Sequence, residues 1–350
     1  MGTIQFAELA KKIGVPVLVV DDTGTILFAN DKCLAELPKA SAGENIKASF
    51  SKGSVLLKRL DKLSSTKVLP KLKLQTKGQV SREYNITASA LETPPHDGAR
   101  FLLTLEDLTP LRLAKSMRSD FVANVSHEIR SPLTAISGFV ESLQDADDID
   151  DETRALFLGL MAKEVDRMTN LVSDLLSLSQ VEVKERKALK RSADIRQILL
   201  HACETVSVLA AESGKDIDVQ IRDSLPEVLG KTDDLVRVFI NLLENAINYS
   251  RPKSTIQLKA SISNKSNPLR KKAICIAVTD ESDGIAEAEI PRLTERFYRV
   301  DKSRSRNVGG TGLGLAIVKH ILVRHRGKLV IESTQGRGST FSVYLPIPLS

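Results

Sequence analysis

Short apolar runs alternate with polar turns over the first hundred or so residues of this 350-residue chain. Val17–Val20 is an apolar run of strand length, Asp22-Thr23-Gly24 is a tight turn, and Thr25–Ala29 reads as the returning strand of a hairpin. A short helical stretch is expected from Asp31 to Leu37, with further strands at Lys71–Thr76, Ser81–Leu91 and Arg100–Glu106. Glu92–Gly98 (ETPPHDG) is compatible only with a turn. From Leu108 the period changes. Leu113, Met117, Phe121, Val125, Ile129, Leu133, Ile136, Val140 and Leu143 recur every three or four residues, the stripe of a long amphipathic helix. The acidic loop 145–152 (DADDIDDE) interrupts it, and a second stripe follows through Leu160, Met161, Val165, Met168, Val172, Leu175 and Leu178. Two long helices joined by a short loop form an antiparallel hairpin. One hairpin cannot bury two such stripes, so two copies pairing into a four-helix bundle, and hence a homodimer, are expected.

Between Ala193 and Ser350 helical and extended patterns alternate. Helices are expected at Asp194–Glu212, Thr232–Tyr249 and Gly312–His325, and strands at Ile217–Arg222, Thr255–Ser263, Lys272–Thr279, Lys328–Glu332 and Thr340–Leu345. That order implies an α/β sandwich, a mixed sheet covered by helices. The fold class is therefore multidomain α+β, divided as an α/β domain over 1–108, a two-helix domain over 109–184, a linker over 185–193 and the sandwich over 194–350.

Composition narrows the classes. Hydrophobic residues make up 42% of the chain and charged residues 27%, enough for buried cores in an ordinary globular protein. The net charge is +6, yet Lys and Arg are mostly interspersed with Asp and Glu, and the densest basic run, Lys184–Arg191 (KERKALKR), lies in the linker. No stripe of basic and aromatic residues accompanies it, so nucleic acid is not expected as a direct partner. Cys33, Cys203 and Cys275 are far apart and odd in number, as for free thiols in a reducing cytosol. No apolar run approaches the roughly 18 to 20 residues that span a bilayer, and no signal peptide is recognisable. A cytoplasmic chain is expected.

His127 lies two residues from both Val125 and Ile129 of the buried stripe. At about 100° per residue it sits some 200° around the helix, facing solvent. Glu128 follows directly and can accept a hydrogen bond or proton from an imidazole. Ser131 is one turn further on the same face, where its hydroxyl can orient water, and Pro132 removes a backbone donor in mid-helix and is expected to bend it. Phe121–Thr134, FVANVSHEIRSPLT, resembles the phosphoacceptor box of the dimerising two-helix domain of sensor histidine kinases. The resemblance implies that His127 is phosphorylated and that Glu128 is its acid/base partner. It also ties the Ser131 position, commonly Thr or Asn in the family, to a phosphatase activity toward the partner protein.

Four clusters follow in the C-terminal segment. Asn241, Asn245 and Asn248, with Tyr249 next to them, share one helix face, and amides so grouped suit a hydrated Mg²⁺ and phosphate oxygens. Asp280 ends an apolar strand (AICIAVTD), positioned to accept a hydrogen bond from an adenine amine, with Gly284 and Ile285 shortly after. Tyr298 and Arg299 precede the basic stretch of Lys302, Arg304 and Arg306, which reads as a lid for a triphosphate. Gly309-Gly310-Thr311-Gly312-Leu313-Gly314-Leu315 opens a helix, where glycines admit phosphates to free backbone amides. The P-loop's Lys-Ser/Thr ending is missing, and no strand leads directly into the loop as in a dinucleotide-binding fold.

In order and spacing the clusters resemble the N, G1, F and G2 boxes of the kinase ATPase domain, the Bergerat fold. That implies ATP and Mg²⁺ as cofactors, with Asn245 as the metal ligand and Tyr249 packed on the adenine. It further implies Asp280 at the adenine amine, Arg299 at the terminal phosphates, and Gly310, Gly312 and Gly314 at the lid hinge. Two residues depart from the pattern: Ser282 stands where the family has the first G1 glycine, and Asn248 where it usually has lysine. Relatives that hydrolyse ATP usually carry a glutamate base where this chain has Asn241.

The resemblance covers about 240 residues, Leu108 to Pro348, and within the family is strongest to the phosphate-regulon sensor kinases. It implies a PAS-like sensor domain at the N-terminus and a response regulator with a receiver domain as phosphoryl acceptor. Those relatives carry membrane segments, so a membrane enters only if N-terminal segments were removed. A catalytically weak dimeric scaffold or pseudokinase, and an ATPase of the same fold, are the alternative readings.

Overall fold

A computed structural model of the chain describes residues 8, 10–37, 39–62, 71–77, 82–91, 98, 100–145, 149–184, 189, 191–300 and 310–348. All of the turn expected at Glu92–Gly98 except Gly98, most of the linker, and residues 301–309 with Lys302, Arg304, Arg306 and Gly309 lie outside them. The chain divides into two compact units, Met1–Asp120 and Phe121–Ser350.

In the first unit β1 (Val17–Val20), β2 (Ile26–Ala29), β3 (Leu72–Gln75), β4 (Glu83–Ala90) and β5 (Phe101–Asp107) form an antiparallel sheet in the order β2-β1-β5-β4-β3. Every residue of β1 is buried, as its uninterrupted apolar run requires of a strand with neighbours on both sides. Between β2 and β3 lie α1 (Asp31–Glu36), a 3₁₀ turn at Ile46–Ala48 and α2 (Gly53–Asp61). The last two were not legible in the sequence; α2 is only nine residues long and buries just Gly53, Leu56 and Leu60. Asn30 is the polar hub of the unit. Its Oδ1 accepts from the N–H of Val17 (3.0 Å) and of Cys33 (2.9 Å), capping α1, and its Nδ2 donates to the carbonyls of Ala10 and Val15 at 3.0 Å each. Leu18, Ile26, Phe50, Leu60, Ile86 and Leu103 fill the core around it.

Two long helices follow, α3 (Thr109–Asp145) and α4 (Asp151–Lys184). Phe139 faces Phe157 with ring centroids 5.4 Å apart, and Glu128 meets Arg167 at 3.0 Å. Residues further back in α3 thus meet residues further on in α4, which makes the pair antiparallel. Pro132 is buried within α3, and the helix continues through it. Much of the apolar stripe stays uncovered in the single chain: Leu133, Val140, Val165 and Val172 are all more than a third exposed.

The sandwich holds a mixed sheet in the order β11-β12-β10-β9-β7. Its strands are β7 (Asp216–Ile221), β9 (Thr255–Ser263), β10 (Ala273–Asp280), β11 (Lys328–Thr334) and β12 (Gly338–Pro346); β7 runs parallel to β9 and the other neighbours are antiparallel. Along β10, Ile274, Ile276 and Val278 are buried while Cys275, Ala277 and Thr279 are half-buried, the period of two that a one-sided core imposes. Helices α5 (Ile195–Glu212), α6 (Thr232–Tyr249) and α7 (Gly314–Arg324) pack on that core. Asp194 caps α5 through the N–H of Gln197 (3.2 Å). Helix α7 starts at Gly314 rather than the expected Gly312, because Gly312 has a left-handed backbone (φ +71°) that a right-handed helix cannot include. Ser192 and Ala193, expected in the linker, form a short strand β6 paired with β8 (Val228–Leu229). The start of α6 is tied to the end of α7. Arg324 meets Asp234 at 2.7 Å with little exposure of either, and the N–H of Lys231 donates to Nε2 of buried His325 at 3.1 Å.

Candidate nucleotide site and phosphoacceptor

A cleft of about 1100 Å³ opens between α6, the end of β10 and the turn that leads into α7. Arg237, Asn241, Asn245 and Asn248, spaced by four, four and three residues, present one face of α6 to it. The opposite face, with Val238, Phe239, Leu242, Leu243 and Ile247, is buried against the sheet. Hydrophobic burial thus orients the amide row, and no local motif is needed to do so. Asn241 Nδ2 donates to the carbonyl of Arg237 at 3.0 Å, which fixes the amide. Tyr249 lies half-buried at the C-terminal end of the same helix and also lines the cleft.

Asp280, the last residue of β10, is 4% exposed. Its Oδ1 accepts two backbone hydrogen bonds, from Ser282 N–H at 2.9 Å and from Ser339 N–H on the neighbouring strand at 3.1 Å. Burial pushes its carboxyl above the ordinary value, and the bonds from Ser282 and Ser339 oppose that rise. Ser282, the departure from the family's glycine, has no left-handed backbone and fits its place. It supplies one N–H to Asp280, and its Oγ accepts from Gly284 N–H at 3.2 Å. Gly284 is different. Its φ is +69°, and a Cβ there would come within 2.2 Å of the Thr334 carbonyl oxygen, so no side chain fits. Ile285 follows, its N–H donating to Ser333 Oγ at 2.8 Å.

Tyr298, Arg299, Gly310, Thr311, Gly312 and Gly314 also line the cleft. Phe297 N–H donates to the Gly312 carbonyl at 2.9 Å, which joins the segment before residues 301–309 to the segment after them. At Gly312 a Cβ would meet the Phe297 backbone at 2.9 Å, and at Gly314 it would meet Asn241 Oδ1 at the same distance. Thr311 Oγ1 accepts from the N–H of Leu313 at 3.2 Å, and Leu313 is buried in the core below the cleft instead of lining it. Of the sequence-predicted nucleotide residues that the structure describes, Leu313 alone stands outside the cleft lining.

Arg237, Glu244 and Asp174 are among the lining residues that sequence reasoning missed. Arg237 follows from spacing, one turn before Asn241 on the same face. Glu244 and Asp174 do not, since Asp174 comes from the hairpin helix α4. Asp174 Oδ1 accepts from Arg237 Nη2 at 2.7 Å and its Oδ2 from Thr311 Oγ1 at 2.8 Å, while Arg237 Nη1 also bonds Ser177 Oγ. Burial holds the Glu244 carboxyl above its ordinary value; the Asp174 charge adds to this and Arg237 opposes it.

His127, Glu128 and Ser131 sit together on α3, apart from the cleft lining. His127 and Ser131 are exposed, as the stripe geometry predicts. Glu128 is half-buried and paired with Arg167 of α4, whose second terminal nitrogen is 3.6 Å from Glu164.

Comparison with known proteins agrees with both halves of this arrangement. Residues 117–183 match the His Kinase A (phospho-acceptor) domain, and residues 230–349 match the histidine kinase-, DNA gyrase B-, and HSP90-like ATPase domain. The phosphate regulon sensor protein PhoR of Pseudomonas aeruginosa is 37% identical over 245 residues, 69% of this chain and 53% of that protein. A sensor protein kinase WalK of Staphylococcus aureus is 30% identical over 333 residues, 94% of this chain and 78% of that protein. Among solved structures, histidine kinase ThkA in complex with the response regulator protein TrrA has a similar fold, with a TM-score of 0.53 at 19% identity, covering 97% of this chain and 98% of that one. The chain thus joins a hairpin of the phospho-acceptor domain family to a domain of the histidine kinase-type ATPase family. The chain belongs to the sensor histidine kinase family, and it spans about half (53%) of the length of its PhoR relative.

Proposed function

We propose that the chain is an ATP-dependent protein-histidine kinase of a two-component system that phosphorylates its own His127 and passes the group to an aspartate of a response regulator. The observation that carries this reading is an exposed imidazole directly beside a half-buried carboxylate, in one chain with a cleft of amides and glycines. An imidazole nitrogen of His127 attacks the γ-phosphorus of ATP, the bond from that phosphorus to the β-phosphate oxygen breaks, and ADP leaves. Glu128 takes the proton from the other ring nitrogen. Positioning and charge neutralisation supply most of the acceleration in such transfers. Asp280 accepts from the adenine amine through Oδ2, since the backbone bonds engage Oδ1. Tyr249 packs on the base, while Arg299 and the amides at Gly310, Gly312 and Gly314 meet the phosphates. Mg²⁺ fits the donor set: the Asn245 amide oxygen is a hard ligand on the row that faces the cleft, suited to an ion that otherwise keeps water and phosphate oxygens. Bound there, it would neutralise charge on the phosphates.

The uncovered apolar stripe of α3 and α4 supports a homodimer closed into a four-helix bundle. A response regulator is supported by the ThkA–TrrA complex, and a role in phosphate-starvation signalling by the likeness to PhoR. Residues 1–108 act in this reading as a PAS-like sensor, and Ser131 as the water-orienting residue of a phosphatase activity toward the regulator.

The test is incubation with γ-labelled ATP and Mg²⁺ beside a His127→Gln variant. The reading expects an acid-labile, alkali-stable label on the wild type that is lost in the variant. An unlabelled wild type that still binds ATP would move the reading to a dimeric scaffold.

A further inference from the structure

Asp174 belongs to the hairpin, yet its carboxylate reaches into the cleft of the sandwich. It accepts from the Arg237 guanidinium at 2.7 Å and from the Thr311 hydroxyl at 2.8 Å, with only 18% of its side chain exposed. Both donors belong to the elements that meet phosphates in the nucleotide reading: Arg237 stands one turn before Asn241, and Thr311 lies inside the glycine-rich turn. A guanidinium and a hydroxyl converging on one anion is what phosphate oxygens look for. Glu244, next to this pair, is a second carboxyl in the same end of the cleft, and its raised proton affinity, due first to burial and then to Asp174, reflects crowding of negative charge there. A triphosphate entering the cleft would find its donors taken and a like charge at short range.

We propose that Asp174 is a positioning residue of the nucleotide site, an internal anion that holds Arg237 and Thr311 until the phosphates of ATP displace it. Nucleotide binding and release of the sandwich from α4 are then one coupled event. Coupling is reciprocal, so whatever strengthens the Asp174 contacts weakens ATP by the same factor. The inference rests on the ATP reading above and adds what opposes binding at that site.

The test measures affinity for a non-hydrolysable ATP analogue, for AMP and for adenosine in the full chain, comparing wild type with Asp174→Asn, Asp174→Ser and Asp174→Glu. Removing the charge is expected to tighten the ATP analogue about three- to tenfold, about 0.7–1.4 kcal/mol. Adenosine should be unchanged and AMP little changed, because the competition is with phosphates. Asp174→Glu, which keeps the charge, should stay close to wild type. A merely structural contact would move all three ligands together. Equal or weaker analogue binding by both uncharged variants overturns the inference and leaves the kinase reading standing. A wild type that binds no ATP analogue overturns both.

Discussion

Gly284 carries the sharpest constraint at the scale of single residues. Its left-handed backbone and the 2.2 Å approach to the Thr334 carbonyl leave no room for a methyl group. Gly284→Ala should cost about 3 kcal/mol or more, because the strands on either side must shift, and urea denaturation measures it. Ser282→Gly loses the Oγ interactions, with Gly284 N–H at 3.2 Å, with Ser339 at 3.4 Å and with the Asp280 carboxylate, and should cost about 1 kcal/mol while the backbone bond to Asp280 remains. Asp280 and Gly284 were legible in the sequence because their chemistry depends on residue type. The role of Ser282 was less so, since one of its two bonds to Asp280 comes from a peptide N–H, which nineteen of the twenty amino acids supply. Asp174 was hidden for another reason: its partners lie 63 and 137 residues away on other elements, and nothing local announces the meeting.

At the scale of elements, periodicity gave α6 and β9 to the residue, because each buries one clean face. Helix α2 and the 3₁₀ turn escaped it, being too short for a period to register. The join between α6 and α7 makes a pH prediction. Because Nε2 of His325 accepts from Lys231 N–H, the ring is neutral with its proton on Nδ1, which donates to the Ile321 carbonyl at 2.8 Å. Burial holds its proton affinity below the ordinary value, outweighing the opposing bond to Ile321 and the Asp234 charge. The unfolded chain takes up that proton near pH 6.5 and the folded chain resists. The contribution to stability is therefore complete above about pH 6.5 and declines as pH falls below it, by at most about 1.4 kcal/mol per pH unit until the folded ring titrates. Urea midpoints should drop between pH 7.5 and 5.5, and His325→Gln should remove part of that slope.

At the scale of the whole molecule, the hairpin is the part left unfinished by a single chain. Leu133, Val140, Val165 and Val172 were expected in a buried stripe and stand exposed. Burial of each such side chain is worth about 1.5–3 kcal/mol. The wild type should therefore sediment as a dimer, and Leu133→Glu combined with Val172→Glu should give monomers in which the sandwich still melts cooperatively. The boundary between the compact units falls at Asp120, inside α3, whereas the sequence period changes at Leu108. The two differ because a period reports where an element begins, and a unit ends where packing changes partners.

The grip on Asp280 by two peptide N–H groups has a consequence for how kin of this chain are found. Codon changes at Ser282 or Ser339 would swap side chains and leave both donors standing, proline excepted. A lineage can drift there and keep the backbone grip on this buried acid. Screens that demand a glycine letter at the Ser282 position would pass over this chain, whereas screens keyed to the strand end and its backbone donors would retain it.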